Sequence, residues 1–360
     1  MLKTFVMKLK ERSLLPLFEK FELDSAKGRR LKSDGSRIKP QTVKNYGYVL
    51  KLLQEFETDQ NALLRVLTNP GNNKRILLAE KKYWKKFYTS FTDFLYIKKK
   101  CFDNYVGNVI KVIRIFFNYL NRELSIITGE FYKSFYVKKE EVPIITLLPA
   151  QLQVLINDQH FTEKLTASLQ KSKDIFVFGC TVALRVSDLF NVKFRDIQKL
   201  ETSYYLALKT IKTGTEVRIK LPDYAINIVD RFKQNAKGRA TIFPPIPRTR
   251  FNEHVKQITE LAGWCQELGK SRSKRGKLIE QFNGANKTQY RFCDLVSSHT
   301  MRRTAITTML MLGMKEHIVR QISGHSQGSK SFYRYVHIVQ SYLDNEVDMV
   351  FNALSNRRVS

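Results

Sequence analysis

The chain has 360 residues, 43% of them hydrophobic, a globular composition too long for one ordinary core, so two domains are expected. Against 33 Asp and Glu stand 62 Lys and Arg, a formal charge of +29 that favours a polyanion, nucleic acid ahead of an anionic membrane surface. There is no apolar run of spanning length, no GxxxxGK[ST] phosphate loop and no HExxH, and Cys101, Cys180, Cys265 and Cys293 show no CxxC spacing; nothing therefore indicates a membrane span, an ATP-driven engine, a zinc site or a disulfide framework.

The N-terminal MLKTFVMKLKERS lacks a signal peptide's apolar centre. Residues from about 5 to 135 read as helical. In QTVKNYGYVLKLLQEFE, Val43, Tyr46, Val49, Leu50, Leu53 and Phe56 recur at three-and-four spacing, one buried stripe, and YWKKFYTSFTDFLYIKKK and YVGNVIKVIRIFFNYL repeat the pattern. Between Ser25 and Pro40 lies a basic, turn-rich loop that suits a phosphate backbone or simply solvent. At FYVKKEEVPIITLLPAQLQ the texture changes, which sets a helical domain over residues 1–140 and a second domain over 141–360, with a new helix from about Pro149.

In the second domain Arg185 follows an apolar run, with Ser187 as N-cap of a short helix. YYLALKTIK and TEVRIKLP, with Val217, Ile219 and Leu221 alternating with polar residues, form a β-hairpin with Lys212 at its turn. KSRSKRGK, from Lys270 to Lys277, reads as a basic loop, and KLIEQF with QYRFCDLV as a second hairpin. Ser297 and Ser298 cap a helix from about His299 to Leu312 that ends at Gly313, and His299, Arg302, Ile306, Met309 and Leu310 share one face. Arg302 and His299, at the head of an apolar stripe, are expected to point inward, and a buried guanidinium requires an anion, either a structural carboxylate or a phosphate. A further helix, roughly Lys315 to Ser323, stops at Gly324 and leaves His325 on the turn. Tyr333 and Tyr335 follow; they share a face on a strand and not on a helix. Taken singly, each residue has an ordinary reading as an ion pair, a cap or packing. Their order in one basic domain is what points to phosphate chemistry.

SSHTMRR, SGH, FYRYVHI and ALRVSDL together resemble the motifs of the tyrosine recombinase, or phage integrase, family, in the style of integrases from mobile elements of Bacteroides-type hosts. The resemblance covers nearly the whole chain. It implies a mainly α fold with a small β component: a two-domain clamp, with a helical SAM-like core-binding domain and a mixed α/β catalytic domain. It assigns Arg185, His299 and Arg302 to the scissile phosphate, His325 as its fourth contact, and Lys212, ahead of Lys209, as the acid for the leaving 5′ oxygen. The family usually places its tyrosine nine residues after that histidine, where this chain has Arg334. Tyr-Val-His-Ile resembles the family ending, so Tyr335 is the expected nucleophile and Tyr333 the alternative. The implied activity is site-specific recombination through a 3′-phosphotyrosyl link, with no cofactor and no metal. Type IB topoisomerase-like relaxation and non-catalytic DNA binding are the rival readings. The implied partners are double-stranded DNA, other protomers in a synaptic tetramer and optional DNA-bending proteins, on the cytoplasmic nucleoid. The stripe Val347, Val350, Phe351 and Leu354 packs either on its own domain or on a neighbouring protomer.

Overall fold

The computed structural model describes residues 10–71, 73–211, 214–284 and 287–355. These residues form two compact units: the chain up to Val142 together with Ser271–Gln281, and Pro143–Lys270 together with the chain from Phe282. Among them the structure is mainly helical, with three small sheets.

In the first unit, strand β1 (Lys10–Ser13) leads into helix α1 (Leu14–Ala26), followed by α2 (Pro40–Gln60), β2 (Arg65–Thr68), α3 (Lys74–Ile97) and α4 (Asp103–Arg122). Pro40 takes the first turn of α2, where a missing N–H costs nothing. β1 and β2 pair antiparallel, two strands that a reading of helix throughout did not anticipate. The helices bury an aromatic core in which Trp84 stacks on Phe131 at 4.8 Å.

A hairpin from far along the chain completes this unit. β6 (Lys270–Lys274) and β7 (Lys277–Gln281) turn through Arg275 and Gly276, whose φ values of +55° and +82° make a two-residue turn of the kind that matches strand twist. This corrects two expectations. KSRSKRGK is strand and turn where a loop was expected, and KLIEQ pairs with it instead of with QYRFCDLV, because the local two-residue turn closes at less entropic cost than a longer connection. Asp103, the first residue of α4 and 3% exposed, receives the turn: Tyr96 and Ser273 hydroxyls donate at 2.5 and 2.6 Å, and the Arg275 and Gly276 amides at 2.8 Å each. Burial opposes its charge, but these four donors hold its pKa down to about 2. Asp103→Asn places an amide against donors and should lower stability by about 2–4 kcal/mol. Native-state hydrogen exchange checks this: the Arg275 and Gly276 amides lose protection in the variant.

The second unit holds α5 (Pro149–Asn157), α6 (Gln159–Glu163), α7 (Ala167–Val182), α8 (Val186–Leu189), the three-stranded sheet β3 (Ile197–Leu200), β4 (Ser203–Lys209) and β5 (Glu216–Leu221), then α9 (Asp223–Gln234) and α10 (Arg248–Leu261). After the hairpin come α11 (Phe292–Leu295), α12 (Ser298–Met311), α13 (Glu316–Ser323) and α14 (Lys330–Ser355). The sheet order is β3-β4-β5, antiparallel, with β3 unanticipated. Val217, Ile219 and Leu221 are buried in the expected alternation. Gly179 lets α12 lie close on α7: a Cβ there would stand 2.4 Å from the Met301 sulfur and 3.1 Å from Met301 Cβ, so a larger residue would force Met301, on the helix bearing Arg302, to shift.

Candidate active site

Arg302 organises the site. It is 4% exposed, and its Nη1 donates to the Ala183 carbonyl at 2.8 Å and its Nη2 to the Ser323 carbonyl at 2.6 Å. One guanidinium thus joins the ends of α7 and α13 to α12. Ala183 offers its carbonyl because it ends α7 at φ +53°, a left-handed conformation costing an L-residue about 1–2 kcal/mol. Burial first, then the Arg185 charge, pushes the Arg302 pKa down to about 10, with Tyr335 and Asp188 opposing.

Arg185 is the N-cap of α8, so Ser187 lies inside that helix and does not cap it. Its Nη1 is buried and has no hydrogen-bond partner. Among the described residues no carboxylate comes within ion-pair distance of Arg185, Arg302 or Arg303. Three guanidiniums without a protein anion are an expensive arrangement unless an external anion completes it.

His325 follows Gly324, which ends α13 at φ +62°. The Ser323 hydroxyl donates to the Val319 carbonyl at 2.6 Å, so the 2.7 Å contact between Ser323 Oγ and His325 Nδ1 has the ring as donor. Nε2 then keeps its lone pair, 3.3 Å from Arg302 Nη2. Burial and the charges of Arg302, Arg185 and Arg320 push the His325 pKa down to about 4. His299, on the first turn of α12, is exposed instead of pointing inward, yet desolvation followed by Arg303, Arg302, Arg248 and Arg185 also pushes its pKa down to about 4. Both rings are therefore neutral at neutral pH.

This has a measurable sign. An unfolded histidine titrates near 6.5, so between about 6.5 and 4 the unfolded chain takes up protons that the native state refuses. Stability is fully present above about pH 6.5 and falls as the pH drops toward 4. Chemical denaturation at about pH 7 and about pH 5 should show a larger loss for the wild type than for His325→Gln, whose side chain does not titrate.

The two tyrosines lie on α14, a helix, and point apart: Tyr335 is 6% exposed and Tyr333 54%. Tyr335 packs in a small apolar cluster with Ala183, Ala305, Ile306, Val319 and Phe332. Its ring centroid lies 6.1 Å from that of His325, and the Arg303 guanidinium lies near enough for its charge to interact with the Tyr335 side chain. Tyr333 instead lies under the Arg320 guanidinium, 4.7 Å from its ring centroid.

The structure thus brings Arg185, His299, Arg302, His325 and Tyr335 into one cationic neighbourhood. Lys212 lies outside the described residues, and Lys209 is exposed at the end of β4. Three residues were not singled out from the sequence. Asp188, 3% exposed, accepts the Ile211 amide at 2.8 Å and so ties α8 to the β4–β5 turn; its acid three places after Arg185 was the available signal. Arg303 could have been read from the RR doublet. Arg248 carried no signal beyond general basicity.

Residues 159–341, just over half of the chain, match the phage integrase family. Among curated proteins none matches the sequence. Similar solved structures include a lambda integrase dimer bound to a COC′ core site, at 16% identity and TM-score 0.53, covering 91% of this chain and 77% of that one. The Tn1549 transposon integrase in complex with transposon right end DNA has 14% identity and TM-score 0.56, covering 91% and 94%. XerH site-specific recombinase bound to palindromic difH substrate, in a post-cleavage complex, has 13% identity and TM-score 0.56, covering 93% and 95%. The family match spans the elements that carry Arg185, His299, Arg302, His325 and Tyr335, and with it the chain belongs to the phage integrase family of tyrosine site-specific recombinases.

Proposed function

We propose that this protein cuts and rejoins double-stranded DNA at the ends of a mobile element, of the type the motifs suggest for Bacteroides-type hosts, through a 3′-phosphotyrosyl intermediate. The observation that carries the reading is the buried, unpartnered Nη1 of Arg185 beside the buried Arg302, a two-guanidinium seat without a protein anion. A phosphodiester supplies that anion with fixed geometry. In this reading Arg185 and Arg302 hold the non-bridging oxygens, with His299 and His325 completing the contacts, and their charge stabilises the pentavalent transition state. The Tyr335 oxygen bonds to phosphorus as the P–O5′ bond breaks. As Arg302 Nη2, 3.3 Å from His325 Nε2, turns to the phosphate, the phenolic proton passes to that Nε2 and the ring so protonated becomes the further phosphate contact, while the leaving O5′ takes a proton from Lys212. Free phenol has a pKa near 10, so an adjacent base and cations are needed at neutral pH. Bond energy stays in the phosphotyrosyl ester, and attack by a partner strand's 5′ hydroxyl reverses the step without a nucleotide.

The lambda integrase structures include a tetramer bound to a Holliday junction. We infer the same class of assembly here. Leu343, Val347 and Phe351, four apart on α14, are 40, 50 and 61% exposed, which supports docking on a neighbouring protomer over packing on their own unit. The side chains of Val350 and Leu354 lie outside the described residues. The test is to incubate the protein with nicked DNA from the element's ends and map the covalent peptide by mass spectrometry. A phosphotyrosyl peptide at Tyr335 is expected. Relaxation of plasmids lacking such ends would favour the topoisomerase reading, and DNA binding with no adduct on a proven site would overturn the catalytic one.

A further inference from the structure

The sequence spacing of the cysteines suggested no metal site, but the fold brings two of them together. Cys265, half-buried beyond α10, and Cys293, buried in α11, have their Sγ atoms 3.7 Å apart. A Glu260 carboxylate oxygen completes a group whose ligand atoms all lie within 4.8 Å of one another. The backbone holds the two segments in register: the Cys293 amide donates to the Trp264 carbonyl at 3.2 Å, Phe292 to Gln266 at 2.8 Å and Leu268 to Tyr290 at 2.9 Å.

Two sulfurs bound about 2.3 Å from one tetrahedral ion stand roughly 3.7–3.8 Å apart, the separation found here. A disulfide, at about 2.05 Å, would require them to close by more than an ångström and a half. Two thiolates and a carboxylate carry three negative charges and a divalent ion leaves one, which Arg291, shared with Asp294, partly offsets. Arg291 Nη1 lies 3.9 Å from Cys265 Sγ and its Nη2 2.8 Å from Glu260 Oε1, while Nε donates to Asp294 at 3.2 Å and Nη2 is shared with Asp294 at 3.3 Å. Such an outer partner orients ligands and offsets surplus charge.

We propose that Cys265, Cys293 and Glu260 bind a thiophilic divalent cation of the zinc class, with water as fourth ligand. The ion clips the end of α10 to the segment that leads into α12, six residues ahead of His299. This proposal does not depend on the recombination reading, because its readout is binding.

The experiment uses full-length reduced, metal-free protein titrated with Zn²⁺ against a chromophoric chelator, and with Cd²⁺ followed by thiolate charge-transfer absorption. One ion per chain with submicromolar affinity is expected. Cys265→Ser and Cys293→Ser should each weaken binding by more than the roughly 10–100-fold that loss of an outer partner costs, Glu260→Gln by less, and Cys101→Ser not at all. Bound Zn²⁺ should also shield Cys265 from alkylation. Cys265→Ser serves as the decisive variant, since Cys265 is half-exposed and circular dichroism can verify its fold. Wild-type affinity weaker than about 10 μM, affinity unchanged in Cys265→Ser, or a Cys265–Cys293 disulfide in the reduced preparation would each overturn the proposal.

Discussion

Tyr335→Phe should abolish the covalent DNA adduct, a loss of at least about 10⁴-fold, while Tyr333→Phe should leave cleavage within a few-fold of wild type. On the α14 helix, residues two apart cannot share a face. Tyr335 sits 6% exposed in the cluster with Phe332 and Val319, against His325 and Arg303. Tyr333 lies on the outer side with Arg320. Removing one hydroxyl from Tyr335 leaves the apolar packing of its ring intact, so the variant should fold and bind DNA normally. Covalent capture on a suicide substrate, with binding measured in parallel, checks both halves. An adduct that survives in Tyr335→Phe and disappears in Tyr333→Phe would reverse the assignment.

Changes at Arg302 should damage the fold as well as the chemistry. Arg302→Ala leaves the Ala183 and Ser323 carbonyls without their donor, each at a cost of about 1–3 kcal/mol. Arg302→Lys keeps the charge, but a single ammonium cannot bridge two carbonyls at 2.8 and 2.6 Å and still face a phosphate. Its cleavage rate should fall by about 10²–10³ with a smaller loss of stability than the alanine variant. Single-turnover cleavage and thermal melting separate the two effects. Wild-type cleavage by Arg302→Lys would show that the fork geometry is not used.

The sequence made the helices legible because their apolar spacing is long and regular, as in QTVKNYGYVLKLLQEFE. It made the β4–β5 pair legible through the alternation of Val217, Ile219 and Leu221. The β6–β7 hairpin was hidden because Lys270–Lys274 carries charge where strands ordinarily show alternation, and its turn is fixed by backbone angles at Arg275 that no side-chain pattern announces. At the site, the inward guanidinium was foreseeable for Arg302, whereas His299, three residues earlier on α12, is exposed. The convergence of Cys265 and Cys293 depends on backbone bonds between the ends of distant segments, and one-dimensional spacing carries no trace of it.

The Asp103 contact bears on how this protein can be divided. Ser273, Arg275 and Gly276 supply three of the four donors to Asp103, yet they are encoded more than 160 residues downstream of it. A fragment expressed as residues 1–142 would therefore carry a buried carboxylate stripped of most of its partners, and the remainder of the chain would carry a strand pair without its seat. The natural minimal form of this first unit is one in which a short linker joins Val142 to the hairpin Ser271–Gln281, a two-piece module recovered as a single chain.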